Sequence, residues 1–338
     1  VSNWVEINDL KKFIKKSGAL VETETLAEVK AKNETLPIQS IRIGTTDPAA
    51  PTVAIIGGVH GLERVGSHVV TNYLSTLVAQ LRWDKTLQKV FENFRLVSIP
   101  ILNPGGMFLS TRCNPNGVDI MRNGPDDANG KTLFLASGHR ISPKLPWYRG
   151  KKDSPPEIET TVLLDFLKSQ VFPSKFSMSI DIHSGFGAKD RLWFPYSRTQ
   201  EKFPYYHVVE KFGRVLDTSM PYHVYNLEAQ SESYLIHGDP WDHAFELHNE
   251  QYAPQGNVFI PWCLEMGSWT WLKKNPRQIF SAAGIFNPLL PHRYARIMRR
   301  HRGFLDFLRQ AVIHHEEWNR QGSNSQDSKP NVRLLSAG

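Results

Sequence analysis

His60 and Glu63 stand three residues apart in GGVHGLE, and His183 follows a second apolar run in SIDIHSG. Two neutral imidazoles and one carboxylate, with a fourth position left to water, make a recognised ligand set for hydrolytic zinc. A strand-end histidine alone is ordinarily a hydrogen-bonded structural residue, so the grouping with Glu63 carries the reading. Hydrolysis then needs a base and a group to hold the developing oxyanion. Glu265, in VFIPWCLEMGSW, projects where an apolar strand meets Met266 and Gly267, although a lone glutamate there also suits a salt bridge. Between the ligand segments, residues 103 to 123 read NPGGMFLSTRCNPNGVDIMRN, which puts Arg112, Asp119 and Arg122 on a loop.

These side chains need elements that bring them together. An opening helix over residues 6 to 16 is followed by strands across 21 to 58, ending in PTVAIIGG. Helical periodicity then takes over, with Val65, Val69, Val70, Tyr73, Leu74, Leu77, Val78 and Leu81 forming one apolar stripe. Glu63 therefore falls at the first turn of that helix. A strand, FRLVSIPIL, precedes NPGG, and the helical PPEIETTVLLDFLKSQ leads into the strand KFSMSIDIHSG. This alternation predicts an α/β fold: a single domain with a mixed, mostly parallel twisted sheet, helices on both faces and the active site at the strand ends. The expected organisation is a helical lead-in over 1–20, a catalytic domain over 21–318 and a polar tail over 319–338. Residues 124 to 156 form a long connection without periodicity, the kind of loop that usually rims a site or is disordered.

Composition fits this reading. The chain has 338 residues, 40% hydrophobic and 22% charged, which leaves no room for a largely disordered protein. No run approaches the roughly 18 apolar residues of a membrane span, and the first residues lack a signal-peptide core. With only Cys113 and Cys263, no disulfide framework is available. The expectation is a cytoplasmic protein with no membrane partner. The net charge of +7 favours anionic partners, but no aromatic-interleaved basic motif points to nucleic acid.

With these motifs in order, the chain resembles a zinc metallocarboxypeptidase of the carboxypeptidase A type. The H-x-x-E of that family appears at His60 to Glu63 and its N-P-D-G at Asn103 to Gly106, with Gly105 in place of Asp. Its R-x-N-x-x-G-V-D-x-N-R-N runs from Arg112 to Asn123, and the resemblance extends over residues 52 to 267. It implies that His60, Glu63 and His183 hold one zinc ion and that Asp119 orients His60 from behind. Glu265 would be the general base, Arg112 would stabilise the oxyanion and Arg122 would clamp the substrate carboxylate. The lid tyrosine of the family matches Tyr234, four residues before Gly238, in a degraded context where a packing tyrosine is as good a reading. One departure stands out: Met121 replaces the usual asparagine before Arg122, removing half of the carboxylate clamp.

Two other readings compete. An N-acyl amino acid deacylase resembling aspartoacylase shares H-x-x-E, a later histidine and a glutamate, so the substrate is a peptide or an acyl amino acid. A peptide-binding relative with decayed catalysis is the other, and the retained Glu265 argues against it. Finally, Arg140, Lys144, Arg149, Lys151 and Lys152, with Lys189, Arg191 and Arg198, lie on loops expected to rim the site. Such a rim would favour acidic substrates, for example acidic peptide tails or glutamyl-containing cell-wall peptides. The plainer reading is that a basic protein has basic loops.

Overall fold

A computed structural model of the protein describes residues 4–320. Its strands are β1 (Glu22–Ala31), β2 (Glu34–Gly44), β3 (Thr52–Gly57), β4 (Arg95–Ile99), β5 (Phe176–Ser184), β6 (Arg191–Phe194), β7 (Asn226–Ala229) and β8 (Val258–Met266). They form one eight-stranded sheet in the order β1-β2-β4-β3-β5-β8-β6-β7. The central strands β4, β3, β5 and β8 are parallel, while β1 and β2 on one side and β6 against β8 on the other are joined antiparallel. Every residue of β3 and β5 is buried; β3 reads accordingly as a nearly unbroken apolar run, whereas β5 alternates apolar residues with Ser177, Ser179, Asp181 and His183, which are buried all the same.

The helices follow as α1 (Val5–Ser17), α2 (Arg64–Leu81), α3 (Lys85–Phe91), α4 (Pro104–Leu109), α5 (Ile158–Gln170), α6 (Tyr206–Ser219), α7 (Pro240–Gln251), α8 (Trp269–Lys274), α9 (Ala282–Phe286), α10 (Pro291–Ile313) and α11 (His315–Asn319). Two apolar cores lie on opposite faces of the sheet. Val53 and Ile55 of β3 pack with the α2 stripe and with Phe304, Leu305 and Leu308 of α10, whereas Ala54 and Ile56 face Leu163, Leu167 and Trp241 from α5 and α7. All eight stripe residues of α2 are buried. Truncating one of them, such as Leu74→Ala, would cost about 2 to 5 kcal/mol through lost transfer energy and the cavity left behind. At Gly66 a Cβ would lie 2.4 Å from the Ile182 carbonyl oxygen, so only glycine lets α2 press this close to β5.

The fold is thus the expected single α/β domain with a mixed sheet covered on both faces. The opening helix and the α2 and α5 helices lie where the periodicity placed them. Residues 321–338 of the expected polar tail are outside the described residues, and Asn319 still belongs to α11. No described helix is long and apolar enough to cross a membrane. Chain order reverses around β3, since β4 and β5 flank it on opposite sides. In open α/β sheets this is the crevice where ligands bind, at the carboxyl ends of the strands.

Candidate active site

Three elements converge at that crevice. His60 lies three residues beyond β3, Glu63 occupies the residue just before α2, and His183 is the penultimate residue of β5. Glu63 therefore sits at the N-cap position rather than within the first turn, and its side chain makes no capping bond. It is turned instead toward the histidines: His60 Nδ1 lies 2.8 Å from Glu63 Oε1, and His183 Nδ1 lies 3.1 Å from Glu63 Oε2. The two Nδ1 atoms are 3.3 Å apart. Each residue is only 3% exposed. The loop carrying His60 is clamped from below, because Asn103 Nδ2 donates to the Val59 carbonyl and Gly61 leaves no room for a Cβ against the Gly106 backbone.

The donor chemistry of this cluster fits a metal cation. Behind each ring a buried carboxylate receives Nε2, Asp119 for His60 at 3.0 Å and Asp181 for His183 at 2.6 Å. Those contacts fix the Nε2–H tautomer, so the Nδ1 lone pairs and the Glu63 oxygens all point into one small space. Acceptors crowded in this way are brought together by a metal cation or by protons on the rings, and the ring orientation set from behind suits the metal. An edge of 3.3 Å between the Nδ1 atoms also matches the ligand separation of about 3.3 Å in a tetrahedron with zinc–nitrogen bonds of about 2.05 Å. Among the described residues, His60, Glu63 and His183 have ligand atoms within 4.8 Å of one another.

Arg112 binds the same cluster from its more open side. Its Nε donates to Asp119 Oδ2 at 2.9 Å and its Nη1 to Glu63 Oε1 at 3.3 Å, leaving Nη2 without a partner among the described residues. Burial disfavours the Asp119 charge, but Arg112 and His60 beside it hold the carboxyl well below the usual range. Glu63 behaves alike: burial opposes its charge, and the two imidazoles outweigh burial and lower its pKa. Glu265 pairs in register with His183 across β5 and β8, so the two side chains leave the same face of the sheet. Its Oε1 accepts the Phe186 N–H at 2.9 Å. Burial first, and the Glu63 charge second, push the Glu265 pKa up to about 8. A divalent ion among the ligands would pull that value down again.

The remaining expected residues are less simply placed. Arg122 is buried, and its Nε and Nη2 donate to the Ala136 carbonyl while Nη1 donates to the Met121 carbonyl. Three of its five N–H groups are thereby used to tie its own loop, leaving two. Met121 belongs to the apolar core with Val59, Ile120 and Trp241, which accounts for its type. Tyr234 is half-buried, its ring 5.8 Å from that of Phe186 and near enough to Arg112 to interact with its charge. Half of the expected basic rim, its four arginines, is engaged with the protein's own groups, while Lys144, Lys151, Lys152 and Lys189 are exposed. Arg149 is buried and bonded to the Arg122 carbonyl and Asp127, Arg140 donates to the Gly150 and Lys151 carbonyls, and Arg191 and Arg198 pair with Glu228 and Glu246.

Two supporting residues were not singled out in the sequence. Asp181 was signalled by strand alternation, which puts it on the same face as His183 two residues later. Its Oδ2 also accepts Trp241 Nε1 from α7 at 2.9 Å. Asn287 gave no local signal. Its Oδ1 accepts the Val65 N–H and its Nδ2 donates to the Leu62 carbonyl, both at 2.8 Å, so it braces the backbone on either side of Glu63.

Comparison with known proteins bears on the family and the fold. Two similar proteins are carboxypeptidase SOL1 of Arabidopsis thaliana, 27% identical over 159 residues, and the carboxypeptidase N catalytic chain of Rattus norvegicus, 27% identical over 173. Each match covers 47% of this chain, but only 27% of the plant protein and 35% of the rat protein. The fold resembles thrombin activatable fibrinolysis inhibitor, with a TM-score of 0.65 at 17% identity over 90% of this chain and 72% of that one. It also resembles carboxypeptidase A from Helicoverpa armigera, with a TM-score of 0.56 at 17% identity over 87% and 71%. Residues 22–254 match the family described as zinc carboxypeptidase, and the chain belongs to that family.

Proposed function

We propose that this protein is a zinc-dependent carboxypeptidase that removes the C-terminal residue of a peptide. The observation that carries the reading is the meeting of His60 Nδ1, His183 Nδ1 and the Glu63 carboxylate, with Glu265 one strand away in register with His183. Zinc in that space supplies Lewis acidity and lowers the pKa of water toward about 7. Glu265 takes the proton from the attacking water as its oxygen bonds to the peptide carbonyl carbon. It then delivers that proton to the amine nitrogen as the C–N bond breaks. The free Nη2 of Arg112 donates to the carbonyl oxygen as negative charge builds there. Arg122, through its two remaining N–H groups, receives the substrate carboxylate, and Tyr234 covers the bound end. The exposed Lys144, Lys151 and Lys152 support a preference for acidic side chains in the substrate.

The test is zinc analysis of the purified protein together with hydrolysis of peptides differing in their last residue, with an N-acyl aspartate alongside. One equivalent of zinc and release of single C-terminal residues, lost on chelation and restored by zinc, are expected. Cleavage of the acyl amino acid without peptide cleavage would replace this reading with a deacylase. Arg122→Ala should raise KM for free-carboxylate peptides far more than for C-terminally amidated ones. An equal loss for both would leave Arg122 as a loop tie only.

A further inference from the structure

A second cavity, of about 370 Å³, lies against the far side of the β8 end, between α8 and the first turns of α10. Neither the three candidate ligands nor Arg112 and Glu265 line it. Its wall is unusually basic, formed in part by Lys189, Lys274, Arg293, Arg296 and Arg300 with His292, against a single carboxylate, Asp190. That carboxylate is already engaged: Asp190 Oδ2 takes Arg300 Nη1 at 2.8 Å, and Oδ1 takes the Gly267 N–H at 3.0 Å. Arg293 is likewise committed, to the Trp271 carbonyl. Lys189, Lys274 and Arg296 are exposed, and their side chains have neither an ion pair nor a hydrogen bond among the described residues.

Three unpaired cations around one concavity repel each other, and the positive end of the α10 dipole adds to the potential. Among the described residues no acidic group pairs with any of the three, whereas an anion seated in the cavity would neutralise them. The geometry points to a binding site for a compact small-molecule polyanion of about three negative charges, a diphosphate or a tricarboxylate. A lone carboxylate would neutralise only one of the three cations. A single small molecule can meet all three because they line one pocket drawn from three separate segments: the loop after β5, the end of α8 and the start of α10. The Arg296 guanidinium suits bidentate pairing with either oxyanion.

Titration calorimetry of the zinc-loaded protein with inorganic pyrophosphate and, separately, with citrate tests this and separates the two sources. Zinc content is checked afterwards, since both anions chelate metal. One of the two anions should bind with one-to-one stoichiometry, and Lys274→Ala with Arg296→Ala should weaken it by roughly a hundredfold, about tenfold per charge removed. Both side chains are exposed and unpartnered, so the variants keep the fold. Lys30→Ala, on an exposed position of β1, removes the same kind of charge elsewhere and should leave binding unchanged. Absence of binding by either anion, binding indifferent to Lys274 and Arg296, or an equal loss in Lys30→Ala would each overturn the site.

Discussion

Asp181 offers the sharpest test of how the metal cluster is held. Its Oδ2 accepts both His183 Nε2 at 2.6 Å and Trp241 Nε1 at 2.9 Å, while Oδ1 is buried without a partner. In Asp181→Asn the amide oxygen must serve both donors, which puts the NH2 where Oδ1 was and leaves it unsatisfied. That burial costs about 1 to 3 kcal/mol of folding stability. A neutral amide also stops raising the basicity of His183, and loss of such a supporting carboxylate typically weakens metal affinity by about 10- to 100-fold. The expected change in zinc binding is then about 1.4 to 2.7 kcal/mol. Competition against a chelator of known affinity measures it, and urea unfolding of the zinc-free variant measures the stability term separately. A folded Asp181→Asn protein with unchanged zinc affinity would refute the orienting role, whatever its stability.

Two further outcomes follow from the site and the core. Glu265→Gln should retain one equivalent of zinc while kcat falls about a hundred- to ten-thousandfold; loss of zinc would instead make Glu265 a ligand. His248 is fully buried among Phe172, Tyr252 and Phe259 with neither ring nitrogen bonded, and burial lowers its pKa to about 4. A depressed histidine pKa means that its contribution to stability is complete above about pH 6.5 and is lost as pH falls toward 4. His248→Phe should remove that loss, so that between pH 7 and pH 4 the variant gains on the wild type by about 3 kcal/mol in urea unfolding. Parallel pH profiles for the two proteins would show that His248 is not buried neutral.

Much of the site was legible because its residues sit at element ends that the sequence marks. Glycines after an apolar run located His60 and Glu63, and the break from alternation to HSG located His183. The supports were harder to see for physical reasons. Asn287 acts through contacts more than 220 residues away in the chain, which no local period encodes. The basic loop misled because charge in a sequence does not reveal its partner: Arg149 looks like a rim cation and is a buried tie to Asp127 and to backbone. Asp181 could have been read, since an acid in a wholly buried strand must be paired, and alternation names His183 as its neighbour.

The position of β8 bears on how the chain can be made. The strand that carries Glu265 is the last of the described strands to be synthesised, yet it lies inside the sheet, between β5 and the β6–β7 pair. A ribosome-bound chain that has emerged only as far as residue 257 has His60, Glu63 and His183, the three candidate ligands, but leaves one edge of β5 unpaired. The β6–β7 pair then has no strand through which to join the sheet. An open apolar edge of that kind recruits foreign strands, so the interval before β8 arrives is when the nascent chain most needs shielding. The same ordering delays assembly of the candidate site: Glu265 cannot be positioned beside His183 until the edge of β5 is closed.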